Sequence, residues 1–377
     1  MTSINKKILL ITFEFPPQRG GMQNYYYNLA KSFEPAQIVV LTLPDATAGD
    51  FDRQQNFKII RRELLHKYFR PRWSKMLSII KKIIEEENID LLWVGDILPV
   101  GQAALKLGIP YFVSLHGLDI MLAQKSPRKH EIARKILEAA KFVTFNSRFT
   151  EALLQPFGLS KIDSAVIYPC SVHQPQFVPE QRVLELKREL GIKNEKIILT
   201  VGRLVKRKGH ELVIKALPEI LEKVSDVKYF IVGSGPEHDA LKELVGRLNL
   251  WNSVMFFNLI DDYKLPCFYG LAKIFVMTPL DLPDDPEGFG LVYLEAAGFA
   301  KPSVAGKYGG VSEAVLDGQT GILVDPQKQS ELAQAIVKLL LDEGLAKQLG
   351  QNAKDRASRE FNWQEQSDKL KEIINRI

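Results

Sequence analysis

A chain of 377 residues is long enough for two domains. Its 46% hydrophobic and 25% charged residues are ordinary globular values, which exclude long-range disorder, collagen and coiled coil. The net charge of +5 is unevenly placed: residues 1–180 hold 23 Lys and Arg against 17 Asp and Glu, and the remainder holds 27 against 28.

In chain order, strand signals alternate with helix signals. Residues 7–13 are an apolar run too short for a signal peptide and leading into Glu14 and two prolines, so they read as a first strand. Residues 22–33 are helical in composition and 38–43 form a second strand. Residues 58–82 carry nine basic side chains and one acid, Glu63, interleaved with Tyr68, Phe69, Trp73, Met76 and Leu77. That segment reads either as a solvated loop and helix face or as a surface for an anionic partner, lipid head groups or a phosphorylated acceptor. No nucleic-acid recognition module is visible. Residues 73–88 predict a helix and 90–94 a strand. The apolar stretch 89–115 contains Asp90, Asp96, Lys106 and two prolines, so it predicts two buried strands around a helix rather than a membrane span. Residues 142–146 and 165–168 are further strands, and the proline-rich 170–181 is the candidate linker.

The pattern then restarts. Strands are predicted at 196–201, 227–232, 254–257, 274–277, 303–305 and 321–324, with helices between them and a helical tail from Ser330. Such alternation means parallel sheets flanked by helices, and two such runs mean two doubly wound domains. Cys170 and Cys267 lack metal-spaced partners, which fits a reducing compartment and argues against structural zinc.

Ligands of open parallel sheets bind beyond the carboxyl ends of the strands, so the loops there carry the candidate chemistry. Gly20 and Gly21 follow the first strand and allow close backbone approach to a ligand, or simply make a tight turn. They do not form a dinucleotide-binding G-x-G-x-x-G. The loop after 196–201 holds Arg203, Lys206, Arg207 and Lys208, cations suited to a diphosphate. Between 284 and 295, Glu287 precedes a helix and Glu295 lies two turns inside it, while Gly288 and Gly290 leave the helix-start amides open to a phosphate. One acid could bind sugar hydroxyls and the other a ribose diol. The plain structural alternative is a dipole partner at Glu287 and an exposed helix residue at Glu295. His116-Gly117 ends the strand 111–115 and could reach a sugar. The loops 233–235 and 309–310 are individually weak signals. Asp284-Asp285 is a poor metal site because adjacent carboxylates point different ways.

Together, F-P-P-x-x-G-G, H-G-x-D, G-R-L-V-x-R-K-G, V-G-S-G-P, E-G-F-G-L-V-Y-L-E and G-G-x-x-E resemble the retaining glycosyltransferases of family 4, in order from residue 4 to about 365. Details such as R-G-G-M-Q-N-Y look most like the phosphatidylinositol-mannoside mannosyltransferases that use GDP-mannose. The resemblance implies an α/β GT-B fold, two Rossmann-like doubly wound parallel-sheet domains facing across a cleft. An acceptor-side domain would span 1–172, with a C-terminal helix at about 360–377 packed back on it, and a donor domain 183–359. It implies no cofactor and no metal. Gly20 and Gly21 would approach the donor diphosphate. Arg203 and Lys208 would hold the phosphates and stabilise the leaving nucleoside diphosphate. Glu287 would hold donor-sugar hydroxyls, with backbone contacts from Phe289, Gly290 and Leu291. Glu295 would bind the ribose, and His116 would meet the sugar and acceptor. The shorter, proline-rich loop 281–286 departs from the mannosyltransferase pattern.

The expected reaction is hexose transfer, mannose favoured, from a nucleoside-diphosphate sugar, GDP-mannose ahead of a UDP-sugar, to an acceptor hydroxyl. The acceptor would be lipid-linked, in glycolipid or cell-surface polysaccharide synthesis, or small and soluble. The expected location is cytoplasmic, or peripheral at the inner face of the membrane through 58–82, without nucleic acid. A sugar-nucleotide epimerase, or a non-catalytic binding module, is the rival.

Overall fold

The computed structural model describes residues 4–159, 162–171, 178–258, 260–261, 263–283 and 285–377. The chain divides into two compact units, Met1–Pro169 with Trp363–Ile377, and Cys170–Asn362.

The first unit is built on a seven-stranded parallel sheet. Its strands are β1 Ile8–Ile11, β2 Ile38–Thr42, β3 Lys58–Arg61, β4 Leu91–Val94, β5 Tyr111–Leu115, β6 Val143–Phe145 and β7 Ser164–Val166, ordered β3-β2-β1-β4-β5-β6-β7. Strands covered on both faces read as continuous apolar runs, and β1, β2, β4 and β5 are buried along their whole length. The helices are α1 Gly21–Lys31, α2 Ala48–Arg53, α3 Ser74–Glu87, α4 Val100–Leu107, α5 Leu118–Gln124, α6 Pro127–Ala139 and α7 Arg148–Ala152. On one face of the sheet Met76, Ile80, Ala103 and Ile136 pack beneath α3, α4 and α6. On the other, Tyr25, Tyr26 and Leu29 of α1 pack with Leu370 and Ile374 of the last helix, Trp363–Arg376. That helix is tied to the end of the sheet by the Tyr168 amide, which donates to Gln366 Oε1 at 2.8 Å. Each such fully buried Leu or Ile stabilises by roughly 1.5–3 kcal/mol.

Edge strand β3 falls where the sequence predicts only a basic loop and helix. It offers just Ile59 and Ile60 between cations, too short an apolar run to register, and it forms because both isoleucines lie beside Val40 and Leu41 of β2. Charged ends are also what keeps an edge strand from recruiting another chain.

The second unit opens with α8 Glu180–Glu189 and continues β8 Lys196–Val201, α9 His210–Lys223, β9 Val227–Val232, α10 His238–Arg247, β10 Val254–Phe257, α11 Leu265–Leu271, β11 Ile274–Met277, α12 Leu291–Gly298, β12 Ser303–Gly306, α13 Val311–Ala314, β13 Gly321–Val324, α14 Gln329–Leu341 and α15 Glu343–Glu360; the Trp363–Arg376 helix is α16. Its six parallel strands run β10-β9-β8-β11-β12-β13. Part of the proline-rich segment between the two strand runs, 172–177, lies outside the described residues. In each sheet the winding direction reverses once, between β1 and β4 and between β8 and β11. Those reversals splay the flanking loops apart and make the ligand crevice of a doubly wound sheet.

Candidate functional site

At the β8/β11 reversal, the loops leaving the two strands meet. Gly209 takes φ +70° beside Thr278, whose backbone a Cβ at this position would overlap. Thr278 Oγ1 donates to the Gly209 carbonyl at 3.1 Å, and the Leu280 amide donates to the Arg207 carbonyl at 2.8 Å. This stitching places the cationic loop over the acidic one. Lys208 Nζ lies 2.7 Å from Glu287 Oε2, Arg207 Nη1 donates to the same oxygen, and Arg207 Nε sits 3.0 Å from Asp285 Oδ1. The Nε proton is not aimed at Asp285, so that contact is an ion pair rather than a hydrogen bond. Glu287 is only 7% exposed. Burial by itself would raise its carboxyl, but the charges and hydrogen bonds of Lys208 and Arg207 outweigh that and hold it below the usual carboxylate range.

Glycines set the shape of the loop around Glu287. Gly309, at φ +68°, lies against the Glu287 carbonyl, and Gly310 lies against the Gly288 carbonyl; a Cβ on either would overlap the oxygen. The Gly310 amide donates to the Glu287 carbonyl at 2.9 Å. Gly290 caps α12 at φ +88°, and Tyr293 anchors that helix by donating to the Met277 carbonyl at 2.7 Å. Phe289 is buried against Phe361, and Leu291 is the first residue of α12. Gly233 and Gly235 do the same for the other loop, resting on the carbonyls of Gly202 and Leu204. The loop glycines at 233–235 and 309–310 thus brace the two site loops.

Glu295 is not an exposed helix residue: it is 6% exposed and accepts the Tyr269 hydroxyl at 2.6 Å. Tyr269 stacks on Phe299, and burial and the neighbouring carboxylate push its phenol well above its ordinary value. Arg203 is exposed and makes no ion pair among the described residues, leaving its guanidinium available.

At the β1/β4 reversal in the first unit, the chain collects groups of the opposite sign. Asp96, two residues past β4, accepts from the Phe13 amide at 2.9 Å, and Glu14 accepts from Gln23 of α1. Asp119, just inside α5, accepts from the amides of His116 at 3.1 Å and Gly117 at 2.9 Å. Burial first, then the charges of Asp119 and Glu14, push Asp96 up to about 7; burial pushes Asp119 up to about 6. His116 Nε2 lies 2.8 Å from the Tyr26 hydroxyl, and burial pushes the imidazole down to about 3, so the ring is neutral at physiological pH. Gly20 precedes α1 and Gly21 opens it; a Cβ on Gly21 would meet nothing within 4 Å.

Lys208 and Glu287 are therefore brought together, with Phe289, Gly290 and Leu291 beside them. Glu295 turns to Tyr269, while Gly20, Gly21 and His116 lie in the other unit. Tyr269, Tyr26, Asp96 and Glu14 were not singled out by sequence, and Arg207 and Asp119 entered only as members of the cation run and of the H-G-x-D motif, without a role of their own. Asp96 could have been, as an acid just beyond a strand end. Asp284 lies outside the described residues. Among the described residues, no group of three or more His, Cys, Asp and Glu is placed to hold a metal ion. A cavity of about 240 Å³ between α8 and α11, lined by Arg182, Glu185 and Tyr263, contains none of the candidate residues.

A family model described as glycosyl transferases group 1 matches residues 183–356, and one described as Glycosyltransferase Family 4 matches residues 19–170. The chain is 30% identical over 380 residues, 98% of each protein, to the GDP-mannose-dependent alpha-(1-6)-phosphatidylinositol monomannoside mannosyltransferase of Mycolicibacterium smegmatis. It is 27% identical to the N-acetyl-alpha-D-glucosaminyl L-malate synthase of Bacillus anthracis, over 76% of this chain and 74% of that protein. Among solved structures it is similar to Anabaena HepE in complex with UDP, with a TM-score of 0.83 and 22% identity over 98% of this chain and 100% of that one. It is likewise similar to the sucrose-phosphate synthase of Thermosynechococcus elongatus, with a TM-score of 0.82 and 24% identity over 99% of each. With both halves matched and a 30% identical relative along nearly its whole length, the chain belongs to the family 4 glycosyltransferases and is a glycosyltransferase of GT-B fold.

Proposed function

We propose that this glycosyltransferase moves a hexose, mannose favoured, from GDP-mannose to a hydroxyl of a lipid-linked acceptor, with retention at the anomeric carbon and without a metal. The observation that carries the reading is the buried Glu287 carboxylate held by Lys208 and Arg207 at the start of α12. Cations and helix-start amides together suit a diphosphate, and an anionic acceptor between them suits sugar hydroxyls.

In the proposed step the bond from the anomeric carbon to the donor phosphate breaks, and the nucleoside diphosphate leaves with the electron pair. The acceptor oxygen bonds to the same face of that carbon, and its proton passes to the departing phosphate oxygen. Arg203 and Lys208 stabilise the charge that develops on the leaving group. Glu287 orients the sugar; bound by two cations and with a lowered carboxyl, it is a weak nucleophile and a good hydrogen-bond acceptor. Gly20 and Gly21 admit the diphosphate, Glu295 takes the ribose, and His116 meets a sugar or acceptor hydroxyl.

The donor assignment is supported by the GDP-mannose named for the M. smegmatis relative, and the lipid-linked acceptor by the phosphatidylinositol monomannoside named there. No helix among the described residues is long and apolar enough to cross a membrane, so the enzyme would meet such an acceptor at the surface. The basic segment supports this in narrower form than its sequence suggests. Lys58 pairs with Glu87, Arg61 is tucked against Asp52 at 2.8 Å, and Lys82 pairs with Glu86 at 3.5 Å. Of the rest, Arg62, Lys67, Arg70 and Arg72 surround the loop bearing Tyr68, 85% exposed, and Phe69, 63% exposed, while Lys75 and Lys81 lie on α3.

The test is nucleotide release from a panel of GDP- and UDP-sugars in excess EDTA. Release should be fastest with GDP-mannose, require a hydroxyl acceptor, and fall at least about tenfold in Lys208→Ala, since removing one stabiliser of developing charge typically costs roughly 2.7–4 kcal/mol. Release only after magnesium or manganese is restored would defeat the metal-free reading, and an epimerised donor without release would defeat the transfer reading.

A further inference from the structure

We infer that Tyr26 sets the tautomer of His116, so that the imidazole offers Nδ1 as a bare hydrogen-bond acceptor to a substrate hydroxyl. The inference deepens the proposed function and rests on its reading of His116 as a substrate contact.

The argument is a count of protons. The Tyr26 oxygen lies 2.7 Å from the Gly95 carbonyl oxygen and 2.8 Å from His116 Nε2. Two oxygens approach to 2.7 Å only with a proton between them, and a carbonyl cannot supply it. The phenol has one proton, and the Gly95 carbonyl takes it. The phenol also remains protonated: burial first, then the charges of Asp96, Tyr25, Asp119 and Glu14, push its ionisation well above the ordinary value. The bond to His116 must therefore be donated by the ring, from Nε2–H. A neutral imidazole protonated at Nε2 carries a lone pair at Nδ1, and His116 is kept neutral by its burial. Nδ1 accepts no hydrogen bond among the described residues. The ring is held by the edges of Tyr25 at 4.9 Å and Tyr26 at 5.3 Å, and its backbone by Asp119.

A lone pair held in this way selects its partner. It accepts from a hydroxyl and gives nothing to a phosphate or carboxylate oxygen. Tyr26 is thus a positioning residue for the transfer: buried, it acts on the substrate through the imidazole.

Long-range proton–nitrogen NMR of the full chain with labelled histidine tests this, His116 being assigned by its loss in His116→Ala. The expected wild-type spectrum near neutral pH has a pyrrole-type Nε2 and a pyridine-type Nδ1. In Tyr26→Phe the two nitrogens should move toward a tautomer mixture, and kcat/KM should fall about tenfold, the scale of one good hydrogen bond. His116→Asn, which can keep an acceptor oxygen near the place of Nδ1, should retain more activity than His116→Gln; this comparison and the wild-type spectrum stand even if Tyr26→Phe fails to fold. A pyrrole-type Nδ1 in the wild type overturns the tautomer assignment, and an unmoved spectrum in a folded Tyr26→Phe overturns the role given to Tyr26 in setting it. The expected spectrum with undiminished turnover in His116→Ala instead overturns the substrate contact on which the inference rests.

Discussion

Glu287 and Arg203 show how differently two candidate site residues depend on their surroundings. Glu287 is a buried charge with two cationic partners, and removing one partner leaves it undercompensated. Arg207→Ala should therefore lower stability, by roughly 1–3 kcal/mol for a buried charged hydrogen bond, and should be visible in thermal unfolding. Arg203→Ala, at an exposed position with no ion pair among the described residues, should leave the melting temperature within the small range of surface substitutions while turnover falls at least about tenfold. Equal stability losses in the two variants would contradict the pairing described. Asp96 makes a pH-dependent prediction. Its folded value, about 7, lies above its ordinary 3.8, so the folded chain keeps a proton that the unfolded chain releases between those values. The stabilisation this proton brings is complete below about pH 4 and is lost as the pH rises through 7. Asp96→Asn, always neutral, should then stabilise by roughly 1–3 kcal/mol at pH 8 and by less at pH 5. Urea unfolding at the two pH values checks this, and an equal gain at both would remove the shift.

At the scale of elements, the site depends on loops that touch backbone to backbone. Gly309 has a left-handed φ and no room for a methyl beside the Glu287 carbonyl. Gly309→Ala should push the Glu287 loop off the β12–α13 loop, lowering stability by about 1 kcal/mol or more from the backbone alone and lowering activity with it. Gly21 is the opposite case: α1 begins there with open space around it, and alanine is the better helix former. Gly21→Ala should leave stability unchanged or slightly raised, and activity should still fall if the donor diphosphate needs that space. Melting temperatures and turnover measured together separate the cases; undiminished turnover in Gly21→Ala would end the role given to the glycine pair. The strands themselves were largely legible. The predicted ranges 111–115, 196–201, 227–232, 254–257, 274–277 and 321–324 agree with the observed strands because, Lys196 and Lys228 apart, their residues are apolar or small, and the central strands are covered on both faces. Edge strand β3 was not legible, because its stability comes from pairing with β2 rather than from its own composition.

For the whole molecule, the charge asymmetry between the two halves is the property that reaches furthest. A cation near an anionic bilayer contributes about 1 kcal/mol, decaying over roughly 8 Å at physiological ionic strength. The loop of Lys67, Tyr68, Phe69, Arg70 and Arg72 combines such cations with aromatic side chains already in solvent. The chain should co-sediment with anionic vesicles at low salt and be released at high salt. Tyr68→Ala with Phe69→Ala, or neutralised Arg70 and Arg72, should weaken this, while neutralised Lys58, already paired with Glu87, should matter little. A wild type that ignores anionic vesicles at low salt would favour a small soluble acceptor, of the kind named for the B. anthracis relative.

The sequence by itself determined the two doubly wound runs, the loops that carry the chemistry, and the identities of Lys208, Glu287, Glu295 and His116 as residues to watch. Periodicity and apolar run length are local, and glycine and charge at strand ends are local too, so a chain read in order displays them. The pairings were decided elsewhere. Lys208 meets Glu287 across 79 positions, Tyr269 meets Glu295 across 26, and His116 meets Tyr26 across 90. Each pair is joined by the order of strands in its sheet or by the packing of helices against it. Burial there sets which carboxyl holds a proton and which nitrogen carries one, because the cost of a buried charge depends on the distant neighbours the fold brings near as well as on those the sequence places adjacent.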